Sequence, residues 1–163
     1  MKKYSREDQK LIAAWAADCA ERVLPFFESA YPWNKRPRNA LNICRRWIGT
    51  GSFSMEEIRG ASLGAHAAAR EAASNIPASF AARAAGQAVA TAHVTQHAYG
   101  GAYYALKAIA AADPAHALTA VQAEYEWQSG QLTEDLREDM MKRIVIRSRS
   151  RGLLITIDKN ADF

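Results

Sequence analysis

Long apolar runs are missing from this sequence. Its alanine-rich stretches are interrupted by Arg70, Arg83 and Lys107, so no segment approaches the roughly 20 apolar residues that a membrane-spanning helix needs. After Met1 the chain reads KKYSREDQK, and no apolar h-region follows, which predicts a cytoplasmic protein without a secretory leader. Cysteine is scarce. Cys19 and Cys44 lie far apart, neither in a CxxC spacing, and read as two reduced, packed thiols, with one disulfide between them as the alternative. Catalytic motifs are lacking as well: no GxSxG elbow, no phosphate loop ending in GKS or GKT, and no carboxylate pair singled out by an apolar setting. The expectation is a protein that is not an enzyme and carries no cofactor.

What the sequence has in abundance is alanine, about a fifth of its 163 residues. Alanine is the best helix former and has no side-chain entropy to lose, and alanine faces let helix axes approach closely. Helix boundaries are legible. SRED from Ser5 and SMEE from Ser54 resemble capping boxes. Pro37, Pro77 and Pro114 suit first turns, and GTG from Gly49 ends the second helix. Leu11, Ile12, Trp15 and Cys19 follow helical spacing, and so do Ala40, Ile43, Cys44 and Trp47. Pro25 is expected to kink or restart the first helix. The third helix should reach about Asn75, and the fourth should break from the fifth near TQH or YGG, unless the two are one bent helix. A last helix should carry Leu136, Met140 and Ile144. The IVIRSRSRGLLITI segment reads as a short hairpin, a frayed helix or a loose tail. The resulting fold class is all-α: one compact alanine-rich bundle of six to seven helices over residues 1–150, with a C-terminal tail over 151–163.

Net charge is +4, unevenly distributed. Residues 1–51 hold 10 basic and 5 acidic side chains, 52–141 hold 5 and 10, and 142–163 hold 6 and 2. Such alternation either steers an encounter with a charged partner or pairs across the fold.

Two groups of residues could carry function. In AHVTQHA, His93 and His97 are spaced to share one helix face, with His66 as a conceivable third ligand. The zincin pattern needs Glu directly after its first histidine, and Val94 stands there. Packed imidazoles bonded to backbone or to Tyr and Gln side chains are the plainer reading, so no metal is expected. The second group is the basic helix NKRPRNALNICRRW, where Arg36, Arg38, Asn42, Arg45 and Arg46 form a candidate partner-binding face; its plain alternative is a solvated surface. The Arg147–Arg151 run is similarly ambiguous. Tyr99, Tyr103 and Tyr104 form either an aromatic patch or a core edge, and Gly100 and Gly101 permit a close approach or mark a bend.

ADCAERVLPFFESAYPWNKRPRNALNICRRW, SLGAHAAAREAA and AARAAGQAVATAHVTQHAYGGAYYALKA together resemble the bacterial immunity protein family with an immunity-five-like domain, associated with polymorphic toxin systems. The likeness runs from about Ala13 to Gln128. It implies an all-α cytoplasmic protein that binds and neutralises a cognate toxin without catalysis, and it supplies no contact residues. Two other readings stand beside it. One is a metal-binding or enzymatic protein built on His66, His93 and His97. The other is a nucleic-acid-associated protein, against which the acidic section over residues 52–141 argues.

Overall fold

A computed structural model describes residues 4–158. Seven α-helices are followed by a two-stranded hairpin: α1 (Arg6–Ala30), α2 (Arg36–Thr50), α3 (Met55–Glu71), α4 (Ile76–Ala90), α5 (His97–Ala112), α6 (Ala117–Gly130), α7 (Glu134–Met141), β1 (Ile144–Arg149) and β2 (Gly152–Ile157). A single 3-10 turn, Pro114–His116, leads into α6. The chain is mostly helical, as its composition predicts. Among the described residues no helix is long and apolar enough to cross a membrane.

The caps explain the boundaries. Ser5 and Asp8 form a reciprocal capping box, and the Ser54 hydroxyl accepts from the Glu57 amide, each satisfying an amide that the first turn would leave unpaired. Pro37 and Pro77 occupy first turns. Within GTG it is Gly51 that stops α2, with φ of 70°, while Gly49 is still helical. Three expectations are corrected. Helix α1 continues through Pro25 and does not restart there; the proline is exposed, so its ring displaces no core side chain. Helix α3 stops at Glu71, and Asn75 instead caps α4 through its side chain. Ile144 opens β1 and is not helical.

Helix α4 lies at the centre, packed by α1, α2, α3 and α5. Only Ile76, Pro77, Phe80, Arg83 and Gln87 of its residues escape burial. Alanine makes that crowding possible. Where α1 crosses α5, a Cβ added to Gly101 would sit 3.2 Å from Ala16 Cβ and 3.3 Å from its carbonyl oxygen. Larger side chains fill the outer layers: Ile12, Leu24, Phe27, Leu41, Ile58 and Leu106 are fully buried. Leu11, although in helical register, is 53% exposed.

Helix α6 is tied on by polar bonds. Trp15 Nε1 donates to the Gln128 carbonyl, and Gln128 Nε2 donates to the Ala102 carbonyl. Buried Glu124 meets the Arg22 guanidinium at 2.9 Å, which in turn lies 3.9 Å above the Trp127 ring. The C-terminal segment is the hairpin. Its strands pair from Ile144↔Ile157 to Arg149↔Gly152, Ser150 and Arg151 make the turn, and Ile144 and Ile155 are buried in the common core. A domain limit at residue 150 thus lies within the turn between paired strands.

Candidate functional site

The charged residues of this fold separate into two regions with opposite bookkeeping. In the first, between α2 and its neighbours, the sequence-predicted arginines all turn inward to carboxylates. Arg36 pairs with Glu71 of α3, Arg46 with Glu57 at the start of α3, and Arg38 with both Glu21 and Glu28 of α1. Arg45 reaches Asp18 at 2.9 Å and Glu21 at 3.8 Å. The Arg38 hydrogen bond holds the Glu28 carboxyl below its ordinary 4.5, and Arg36 does the same for Glu71. Asn42 is exposed among them. A cleft of about 840 Å³ between α2 and α3, lined by Arg36, Ile43, Arg46, Glu57 and Gly64, carries both signs of charge. Here the alternation of charge along the chain pairs across the fold.

The second region is the surface of α3, α4 and α5. Its centre gathers all three candidate histidines, but differently from the sequence expectation. His93 and His97 do not share a helix face: α4 ends at Ala90, His93 lies in the linker, and His97 is the first residue of α5. The rings still meet, centroids 5.2 Å apart, because the linker folds back. His97 Nδ1 donates to Gln87 Oε1 at 2.7 Å, since a carbonyl oxygen only accepts. On the far side of the same amide, Gln87 Nε2 lies 3.5 Å from His66 Nε2. His66 and His97 are thus joined through Gln87 on α4.

Two glycines make room for this arrangement. A Cβ at Gly86 would stand 3.0 Å from the His66 ring, and one at Gly100 would stand 2.6 Å from Gln87 Cγ. Gly100 therefore serves a close approach inside α5, and no bend is needed. His93 Nδ1 is buried with no hydrogen-bond partner.

Electrostatics keep all three imidazoles neutral at neutral pH. Burial is the main cause in each case, pulling the value below the ordinary 6.5; Arg83 and Arg70 add to it at His66, Arg59 at His93, and His93 at His97. Among the described residues no three His, Cys, Asp or Glu side chains are arranged to hold one metal ion. Both thiols are buried and unbonded to each other. Burial pushes Cys44 up to about 12, and its Sγ lies 3.4 Å from the Ala88 carbonyl; burial raises Cys19 as well. Neither is a ready thiolate.

Around the histidines stand Arg59 and the three cations, Arg70, Arg83 and Lys107, that interrupt the alanine runs. Arg59, Arg70, Arg83 and Lys107 form no ion pair with a carboxylate among the described residues, although Arg70 stands near enough to Glu71 to help lower its carboxyl. Arg83 lies 5.9 Å over the Tyr104 ring, and Lys107 lies 4.6 Å over Phe80. Phe80 and Tyr104 stack with centroids 6.0 Å apart, whereas Tyr99 is buried beneath. A signal was available. From Ile58 to Ala112 there are four Lys or Arg and one acid, Glu71, and that acid faces α2. Counting over 52–141 let the acids at both ends conceal a basic centre.

No curated protein and no solved structure matches the chain. One family does. The profile of the family described as Imm-5 like putative immunity protein matches residues 2–135, which take in α1 to α6 and the first two residues of α7, and the chain belongs to that family.

Proposed function

We propose that the protein is an immunity protein that binds and neutralises a cognate bacterial toxin in the cytoplasm, with no catalysis of its own. The observation that carries this reading is the family match over residues 2–135. The chemistry of the side chains agrees with it. The thiols are buried and protonated, the His97 N–H is committed to Gln87, and the α2 arginines are neutralised within the fold. An interface for a protein needs shape, anchors and charge complementarity rather than an activated nucleophile.

The test is co-purification with the toxin domain encoded beside this chain's reading frame, followed by titration and a growth assay. A nanomolar complex, and rescue of cells expressing that domain, is the expected result. Failure of the purified domain to bind at micromolar concentration would sink the reading. Random duplex DNA serves as the comparison, because binding through about six phosphates would weaken on the order of a thousandfold between 50 and 200 mM salt.

A further inference from the structure

Helix α3 presents Arg59, Leu63, His66 and Arg70 along one edge, at positions i, i+4, i+7 and i+11. Helix α4 presents Ile76, Phe80, Arg83 and Gln87 at the same spacing. The two rows run side by side: His66 lies over Gly86, and the Ser62 hydroxyl donates to the Gly86 carbonyl. Helix α5 adds His97, Tyr104 and Lys107 on the other flank. The result is a three-helix surface whose outward rows carry permanent positive charge; the exposed acids of α3, Glu56, Glu57 and Glu71, lie at the two ends of that helix. Leu63 and Ile76, 56% and 54% exposed, interrupt the cations.

We infer that this α3–α4–α5 face is the docking surface for the partner, and that the partner meets it with an acidic patch carrying apolar contacts at its centre. The inference rests on the immunity reading and adds the place and the chemistry of binding. Three observations favour an acidic protein. The cations of α2 are already paired with carboxylates, whereas Arg59, Arg70, Arg83 and Lys107 form no ion pair among the described residues. Arginine and aromatic side chains set among isolated aliphatics match the composition of protein interface centres. With its imidazoles neutral, the face offers only four full charges across three helices, sparse for a surface that tracks a phosphate backbone. A second copy of this chain does not fit, since a two-fold contact would set this face against itself, cation on cation.

The test uses the full chain, its neighbouring toxin domain and two variants. Arg59→Glu/Arg70→Glu reverses two exposed charges, and Asn42→Trp places bulk on the α2 face without breaking an ion pair. The expected result is that the wild type binds, Arg59→Glu/Arg70→Glu loses about 100-fold or more in affinity, and Asn42→Trp binds within about threefold of wild type. Thermal melts of both variants check folding, and neutral Arg59→Gln/Arg70→Gln gives an intermediate loss if charge is the cause. Tight wild-type binding that survives charge reversal but fails in Asn42→Trp would overturn the inference and leave the immunity reading standing. A wild type that ignores the toxin domain removes both. Tighter, salt-steep binding to a random 20-base-pair duplex of DNA would reassign the face to nucleic acid.

Discussion

Two regions of one small protein use the same residue type in opposite ways. Along the α1–α2–α3 seam, arginines face glutamates and aspartates supplied by neighbouring helices, and the charge closes on itself. Across the α3–α4–α5 face, arginines sit over aromatic rings or in solvent, above a network of histidines held by one glutamine. An arginine count does not separate the two; the whereabouts of the carboxylates does. The seam contributes to holding the bundle together. The face is packed from below and open above.

The largest effect that would sharpen this contrast comes from glycine. Gly86 underlies the His66 ring with no room to spare, whereas a Cβ at Gly64, in the seam, meets the Arg36 side chain no nearer than 3.8 Å, an ordinary van der Waals contact. Gly86→Val is expected to cost about 2–3 kcal/mol by overpacking, a fall in Tm of roughly 5–10 °C for a domain of this size. Gly64→Ala should instead stabilise by about 0.5–1 kcal/mol through helix propensity. Urea denaturation of both variants measures the difference, and equal effects would erase it.

Next come the arginines themselves. Arg38→Met strands the Glu28 carboxylate and leaves Glu21 only Arg45 at 3.8 Å, and should destabilise by about 1 kcal/mol. Arg70→Met breaks no ion pair and should stay within about 0.5 kcal/mol of wild type. The same denaturation series reads both. Matching losses would mean that Arg70 is structural and would weaken its assignment to a docking face.

The smallest expected effect is in pH, and it distinguishes the regions by window. Folded His66, His93 and His97 lie below their ordinary 6.5. The neutral form is therefore favoured on folding, and this contribution is full above 6.5. As pH falls below 6.5 the unfolded chain takes up protons that the fold resists, so stability declines until the lower folded values are passed. Glu28 and Glu71 lie below 4.5 when folded, so their contribution is present above 4.5 and is lost only in more acidic solution. Melting curves across both windows should show a first decline that His66→Gln/His93→Gln/His97→Gln abolishes, followed by a second that the triple variant retains.

Much of this was written locally in the chain. Ser5, Ser54, Pro37 and Pro77 mark helix starts through single hydrogen bonds or one fixed torsion, and such signals need no tertiary knowledge. The break between His93 and His97 was harder to place. No glycine or proline interrupts TAHVTQ, so the alanine-rich pattern reads as able to continue. Tertiary bonding ends α4 instead: Gln9 of α1 donates to the carbonyls of Thr91 and Ala92, giving those groups partners outside the helix. The candidate site was legible in its histidines and illegible in its charges, because an ion pair such as Arg38 with Glu21 depends on two helices meeting. The last helix was overextended for a related reason. The inward-facing Ile144 fits a helical period and a strand equally well, and only pairing with Ile157 decides it.

The alanines of α4 carry a consequence for how this protein can change. Ala81, Ala84, Ala85 and Ala88 are wholly enclosed, each contributing one methyl group and fixing how near the backbones stand. A core filled with leucine is wounded by truncation, which opens voids. Here little side chain remains to remove, so injury comes from growth: a valine or leucine at these positions must push two helices apart. Drift along the lineage is thereby channelled. The interior admits only Ala, Gly and Ser without matched changes on a neighbouring helix, whereas Ile76, exposed at the start of the outward row, meets no such limit.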